Sequence, residues 1–252
     1  MADLREIVEW LDNYLAIEAV PDYPGAFNGL QAESRSPIGV VASATDATLE
    51  TIEAAAEADA QLLLVHHGLF WGDPLPLTGP TYRRVRALFD ADLALYSAHL
   101  PLDVHPDVGN NVLLAEALDL TVEGRFGTWN RELEIGVWAT ADLPLTTLTE
   151  RLGAVCGPEP RVIPGGPGHV RRVGIVTGGG GSLIRQAHDA GLDTFVTGEG
   201  SHHHYHEAME LGLNVVFAGH YATETFGVRA LATKLAEAFD LESIFLDRPT
   251  GL

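Results

Sequence analysis

The stretch LLLVHHGLF (residues 62–70) runs four aliphatic residues into two adjacent histidines and a glycine. It reads as a buried strand that ends at His66 and His67. Side chains alternate between faces along a strand, so neighbours within one do not easily share a site. A strand terminus that happens to be polar is one explanation of the pair. The other is that the two imidazoles reach one or two metal ions.

Working outward from this strand, apolar runs alternate with amphipathic, alanine-rich segments. PIGVVASA reads as a strand, Thr48–Ala58 as a helix, and AQLLLVHH as the next strand. A proline- and glycine-containing loop then leads to a helix near TYRRVRALFDA, a strand at DLALYSAHL ending at Pro101, and a helix at NNVLLAEALDL. Such alternation predicts an α/β protein with substantial parallel pairing. From about Arg125 the chain becomes richer in turn formers, which suggests a second lobe over 125–212. Residues 213–252, a strand, a long helix and the closing strand LESIFLD, are expected to return to the first lobe, 1–124.

Three strands end alike. LLLV is followed by His66 and His67, LALYSA by His99 with Asp103, and LNVVFAG by His220 with Glu224. In open α/β sheets ligands bind outside the carboxyl ends of strands. Gly68 would let the backbone turn so that both rings face the edge. Pro101 would keep His99 and Asp103 in an extended loop. His220 and Glu224, four apart where a helix begins, would share a face. A histidine and carboxylate set of this kind suits zinc, iron or manganese, and it exceeds the needs of one hydrolytic ion, as in sites where carboxylates bridge two.

Composition sets the bounds. The 252 residues suffice for one large domain or two packed lobes. No apolar run reaches the ~18–20 residues of a membrane span, and the acidic MADLREIVEWLDNYL reads as an amphipathic helix instead of a signal peptide. A single cysteine excludes an internal disulfide or a cysteine-based zinc cluster. These features point to the cytoplasm. The formal charge of −20, with Lys234 the lone lysine, predicts a solvated acidic surface suited to a salt-accumulating, halophilic cytoplasm. Bulk nucleic-acid binding, which needs basic stripes, is disfavoured.

The motifs NGLQ (28–31), VHHGLFW (65–71), AHLPLDVHPDVGNN (98–111), VTGGGGS (176–182), VTGE (196–199) and AGHYATE (218–224) together resemble the Nif-three-like, or dinuclear metal centre, proteins. Some members of that family are labelled GTP cyclohydrolase 1 type 2 homolog. The resemblance covers nearly the whole chain. It implies two α/β lobes with mixed, largely parallel sheets, a pair of divalent metal ions between them, and a ring-shaped homohexamer. Carried over residue by residue, it implies His66, His67, Asp103, His220 and Glu224 as ligands, with His99 a further ligand or close neighbour. The chain is too short for the inserted middle domain of longer members.

Other motifs carry less. VTGGGGSLIRQA lacks the spacing and lysine of a phosphate-binding loop; a tight strand-to-helix connection is its simplest reading, with an anion contact as the alternative. GEGSHHHYHE reads as a helix start near Ser201, with His202 and His206 on one face and His203 opposite. A solvated helix start is the plainer reading; the alternative is that His203 or His206 borders the metal cavity, and the family motif has a histidine at the position of His203, which suggests a proton shuttle. FNGLQ reads as a loop with Asn28 and Gly29 in a turn, and Trp71 as packing or a cavity wall beside the histidines, with base stacking as the alternative.

The leading expectation is a dinuclear metal-dependent hydrolase of a small, nucleotide-like substrate. Glu224 or Asp103 would orient a water whose pKa the ions lower. The competing expectation is a non-catalytic metal-binding ring that acts through protein partners. An open coordination position separates the two.

Overall fold

The computed structural model describes residues 1–71, 75–130, 133–157 and 160–251. The chain divides into two units, Met1–Leu102 with Gly227–Arg248, and Asp103–Phe226 with Pro249–Leu252.

The first unit opens with helix α1 (Leu4–Leu15), which is capped by the Asp3 carboxylate on the amide of Arg5 and buries Ile7, Leu11 and Leu15. Strands β1 (Gly29–Ala32) and β2 (Val40–Asp46) follow, then α2 (Leu49–Glu57), β3 (Leu62–His67), α3 (Gly79–Asp90) and β4 (Ala94–Ser97). Thr48 and Thr51 close a reciprocal capping box on α2, so the helix expected over Thr48–Ala58 matches α2 with its two caps. The chain comes back to this unit through most of helix α10 (Thr225–Phe239) and strand β11 (Glu242–Phe245). The sheet order is β1-β4-β3-β2-β11. Its pairs are parallel except for β1 with β4. Leu63, Val65 and Leu95 pack with Ile52 of α2 and Leu88 of α3 in its core.

The second unit begins within the single helical turn α4 (Leu100–Asp103). It continues through α5 (Asn110–Ala117), β5 (Val122–Trp129), β6 (Leu133–Pro144), α6 (Leu145–Cys156), β7 (Arg161–Pro164) and β8 (His169–Val176). A short 3-10 turn, Gly180–Leu183, leads into α7 (Ile184–Asp189), β9 (Thr194–Thr197), α8 (His203–Leu211), β10 (Asn214–Phe217) and the one-turn α9 (His220–Thr223). The order is β5-β6-β8-β9-β10-β7. Leu114, Leu148 and Leu152 from the helices pack on Val137, Val173, Ile175, Val196 and Val216 of this sheet.

Several expectations change. The chain crosses to the second unit at residue 103, not near Arg125, and leaves it at 226, not 212. The reason is the hydrogen-bond ladder. β10 pairs parallel with β9 and antiparallel with β7, so AGHYATE belongs to the second unit. "Largely parallel" fits the first sheet only: the second is mixed, with β5–β6, β6–β8 and β10–β7 antiparallel and β8–β9 and β9–β10 parallel. NGLQ is not a plain loop: Gly29, at φ +102°, starts edge strand β1. Residues 72–74, part of the loop expected after the histidines, lie outside the described residues.

Candidate metal centre

In the first unit the parallel register sets Asp46 beside His67 and Val65 beside Ser97. The carboxyl ends of β2, β3 and β4 therefore bring Asp46, the pair His66–His67, and Ala98–His99 to one edge. His66, His67 and His99 each offer a ligand atom, all within 4.8 Å of one another. The ring centres of His66 and His67 are 4.7 Å apart and those of His66 and His99 5.0 Å. Adjacency on the strand thus does not separate the two imidazoles, because β3 ends with His67.

What orients the rings is specific. Nδ1 of His66 lies 2.9 Å from the Ala98 carbonyl, Nδ1 of His67 2.9 Å from Asp46 Oδ1, and Nδ1 of His99 2.8 Å from Asp22 Oδ1. A carbonyl or an ionised carboxylate only accepts, so each Nδ1 is the donor, and in the neutral ring Nε2 is the nitrogen left to a metal. That is the tautomer a metal ligand needs, held by the outer partners that metal-binding histidines ordinarily have. Asp22 is tied further by the side chain of Asn28 and the amide of Leu100. Burial alone would raise its pKa, but the His99 imidazole and the Asn28 and Tyr23 donors outweigh burial and hold the carboxyl below its usual range. Trp71 donates to the Gly68 carbonyl and meets His99 edge-on at 4.8 Å.

Two expected backbone devices work differently. Gly68 is not in the left-handed region. Its missing side chain instead makes room for the Gln31 amide, whose Oε1 accepts from the Leu69 amide at 2.7 Å. Pro101 does not hold His99 and Asp103 in an extended loop: Leu100–Asp103 is a helical turn. A proline in the first turn costs no intrahelical hydrogen bond, since those amides have no partner there anyway.

The second unit carries the remaining candidates. His220 Nε2 is 3.1 Å from Glu224 Oε2, and its Nδ1 is 3.0 Å from Glu199 Oε1. The single turn α9 places His220 and Glu224 on one face, and Glu224 is buried. The Glu224 carboxylate, partly offset by burial and reinforced by Glu199, raises the His220 imidazole to about 9. An ion bound at Nε2 therefore displaces a proton.

The glycine run explains how this pair fits. Gly178 has φ +63°, and a Cβ there would collide with the Glu224 carboxylate and sit 3.2 Å from His220 Nε2. Its carbonyl accepts from the amides of Gly198 and Glu199 and from the Thr197 hydroxyl, while its amide donates to Thr223 Oγ1. VTGGGGS is a close-approach device for the donor pair as well as a strand-to-helix connection.

Asp103 is buried and accepts from Asn110 Nδ2 at 2.8 Å. Asn111 ties the Asp103 carbonyl to Ile135 and Thr177. His203 stands on the exposed first turn of α8, its ring 4.2 Å from that of His204. A cavity of about 1250 Å³ opens in the first unit along α1 and β1, lined by Val8, Ile17, Phe27 and Leu30. None of the candidate ligands lines it; Asn28, which accepts from the His99 amide, links it to the histidines.

Asp22, Asp46 and Glu199 escape a reading that looks for ligands alone. Asp46 and Glu199 end or closely follow strands, so the strand-end rule applied to every strand finds them. Asp22, 77 residues from His99, has no such signal.

The donor set agrees with what the chain is similar to. The profile described as Duf34/NIF3 (NGG1p interacting factor 3) matches residues 2–250. The chain belongs to this family. A Deinococcus radiodurans relative named GTP cyclohydrolase 1 type 2 homolog is 48% identical over 249 residues, covering 98% of this chain and 94% of its own. The crystal structure of TTHA1606 from Thermus thermophilus has a TM-score of 0.89 at 43% identity, covering 99% of this chain and 100% of that one. A structural-genomics structure of protein ybgI, described as of unknown function, has a TM-score of 0.91 at 35% identity, covering 98% and 99%. Like other NIF3 chains in fold, this one is an α/β protein with two mixed sheets and histidine and glutamate clusters able to hold metal. No helix among the described residues is long and apolar enough to cross a membrane.

Proposed function

We propose that this NIF3 protein is a metal-dependent hydrolase that holds two divalent ions, zinc, iron or manganese. The donors proposed for them are His66, His67 and His99 in the first unit, and Asp103, His220 and Glu224 in the second. The observation that carries this reading is the shared orientation of three imidazoles, His66, His67 and His99, each with Nδ1 against an oxygen acceptor, together with the His220–Glu224 donor pair. A metal-ligating histidine ordinarily donates its other ring N–H to a carboxylate or a main-chain carbonyl, as each of these three does.

Bound ions would supply Lewis acidity and a water of lowered pKa. The chain's own residues do the rest. Asp46, Asp22 and Glu199 hold protons on Nδ1 of His67, His99 and His220. Buried Glu224 would orient the attacking water and accept its proton, with Asp103 as the second carboxylate. His203, exposed and ionisable, exchanges that proton with solvent. The name carried by the relatives points to a nucleotide as substrate, and the family resemblance to a homohexameric ring in the cytoplasm.

Metal analysis of the chain made in its native host, coupled to a hydrolysis screen that includes GTP at high salt, tests the proposal. Two ions per chain and turnover that disappears with chelator, and with His67→Ala or Glu224→Gln, are expected. Ions retained with all coordination positions filled by protein, and no turnover of any compound, would establish the non-catalytic ring instead.

A further inference from the structure

GEGSHHHYHE contains histidines that the proposed centre does not use. His202 already has helical backbone angles, φ −50° and ψ −41°, and α8 begins at the next residue. His202 and His206 are therefore one helical turn apart on the same face. Both are exposed. Their ring centres are 5.7 Å apart, with the planes at 84°. An imidazole bound through a ring nitrogen about 2.0–2.1 Å from an ion has its centre roughly 3 Å from it, so rings spaced like these can close on a single ion. The buried member of the run, His204, is spent otherwise: its Nδ1 accepts from the Ser201 amide at 2.9 Å.

We propose that His202 and His206 form a second, open site for a divalent transition ion, with copper(II) as the ion bound most tightly. Two imidazoles and no thiolate favour copper over nickel and zinc in the usual order of stabilities. Nearby charge assists. Glu207 is engaged by Arg185 at 3.2 Å, but the exposed Glu210 lies one turn beyond His206. The positive end of the α8 dipole opposes a cation here, and with two protein ligands water fills the remaining positions. The site therefore binds reversibly and exchanges its ion with solvent, unlike a closed structural site.

The test uses the full, tag-free chain titrated with copper(II) and followed by electron paramagnetic resonance. Wild type is expected to bind one equivalent more than His206→Gln or His202→Gln, and that equivalent should show hyperfine splitting from two imidazole nitrogens. The double variant H202Q/E210H moves the pair one turn along the exposed face and should regain the equivalent. Equal uptake by wild type and both single variants overturns the site. So does loss in the single variants without recovery in the double variant, because that pattern would mean the substitutions disturbed the helix and removed no chelate. Neither result bears on the proposed catalytic centre, whose ligands are unchanged in every protein compared.

Discussion

The donor sets of the two units solve one problem in different ways. In the first, three imidazoles reach one edge because adjacent parallel strands end in register, and the set contains no carboxylate among its ligand atoms. In the second, an imidazole and a carboxylate share one helical turn, and a glycine in the left-handed region makes the space they occupy. The first arrangement is built from sheet geometry. The second depends on one residue having no side chain.

That difference is sharpest when the two supporting glycines are given a methyl group. Gly178→Ala forces a Cβ into the Glu224 carboxylate at positive φ, and a strained backbone of this kind costs about 1–3 kcal/mol before the steric clash is added. Gly68→Ala meets only the end of the Gln31 side chain, which can swing away. Urea denaturation should rank Gly178→Ala well below Gly68→Ala; equal losses would break the comparison.

Next in size is the removal of outer carboxylates. Asp22→Asn, Asp46→Asn and Glu199→Gln should each weaken metal retention about 10–100-fold, read by competition with a chelator. Retention unchanged in all of them would mean that Nδ1 orientation does not set affinity.

A pH dependence should mark the second unit. The His220 imidazole is raised from 6.5 to about 9, chiefly by the Glu224 hydrogen bond and against the opposing effect of burial. A raised histidine stabilises the fold fully below its unfolded value and loses that contribution as pH rises through the folded one. Metal-free protein should therefore lose stability between about 6.5 and 9, and Glu224→Gln should flatten the slope. The smallest effect concerns both units alike. Unfolding midpoints should rise with potassium chloride, because a charge of −20 repels itself less when screened.

Much of this was legible in residue order. A buried strand ending in His66 and His67, a helix over Thr48–Ala58 and a shared face for His220 and Glu224 all follow from local periodicity, which the chain keeps. What periodicity cannot carry is partnership at a distance. Nothing near Asp22 announces His99, and nothing in the composition of 213–226 shows that β10 hydrogen-bonds to β9. Pro101 misleads for a different reason. Proline disrupts helix interiors, and Leu100–Asp103 is all first turn. The glycine run looks like a connection until Glu224, 46 positions after Gly178 in the chain, is seen against it.

One bond in the first unit has a consequence for how the site withstands mutation. The partner of His66 is a main-chain carbonyl, that of Ala98. Asp22, Asp46 and Glu199 can each be turned into an amide by a single base change, and an amide, which donates as well as accepts, no longer enforces one tautomer. Every residue at position 98 would still present the same oxygen. The most deeply buried of the imidazoles is thus held by a partner that heredity cannot edit by substitution, only by moving the strand.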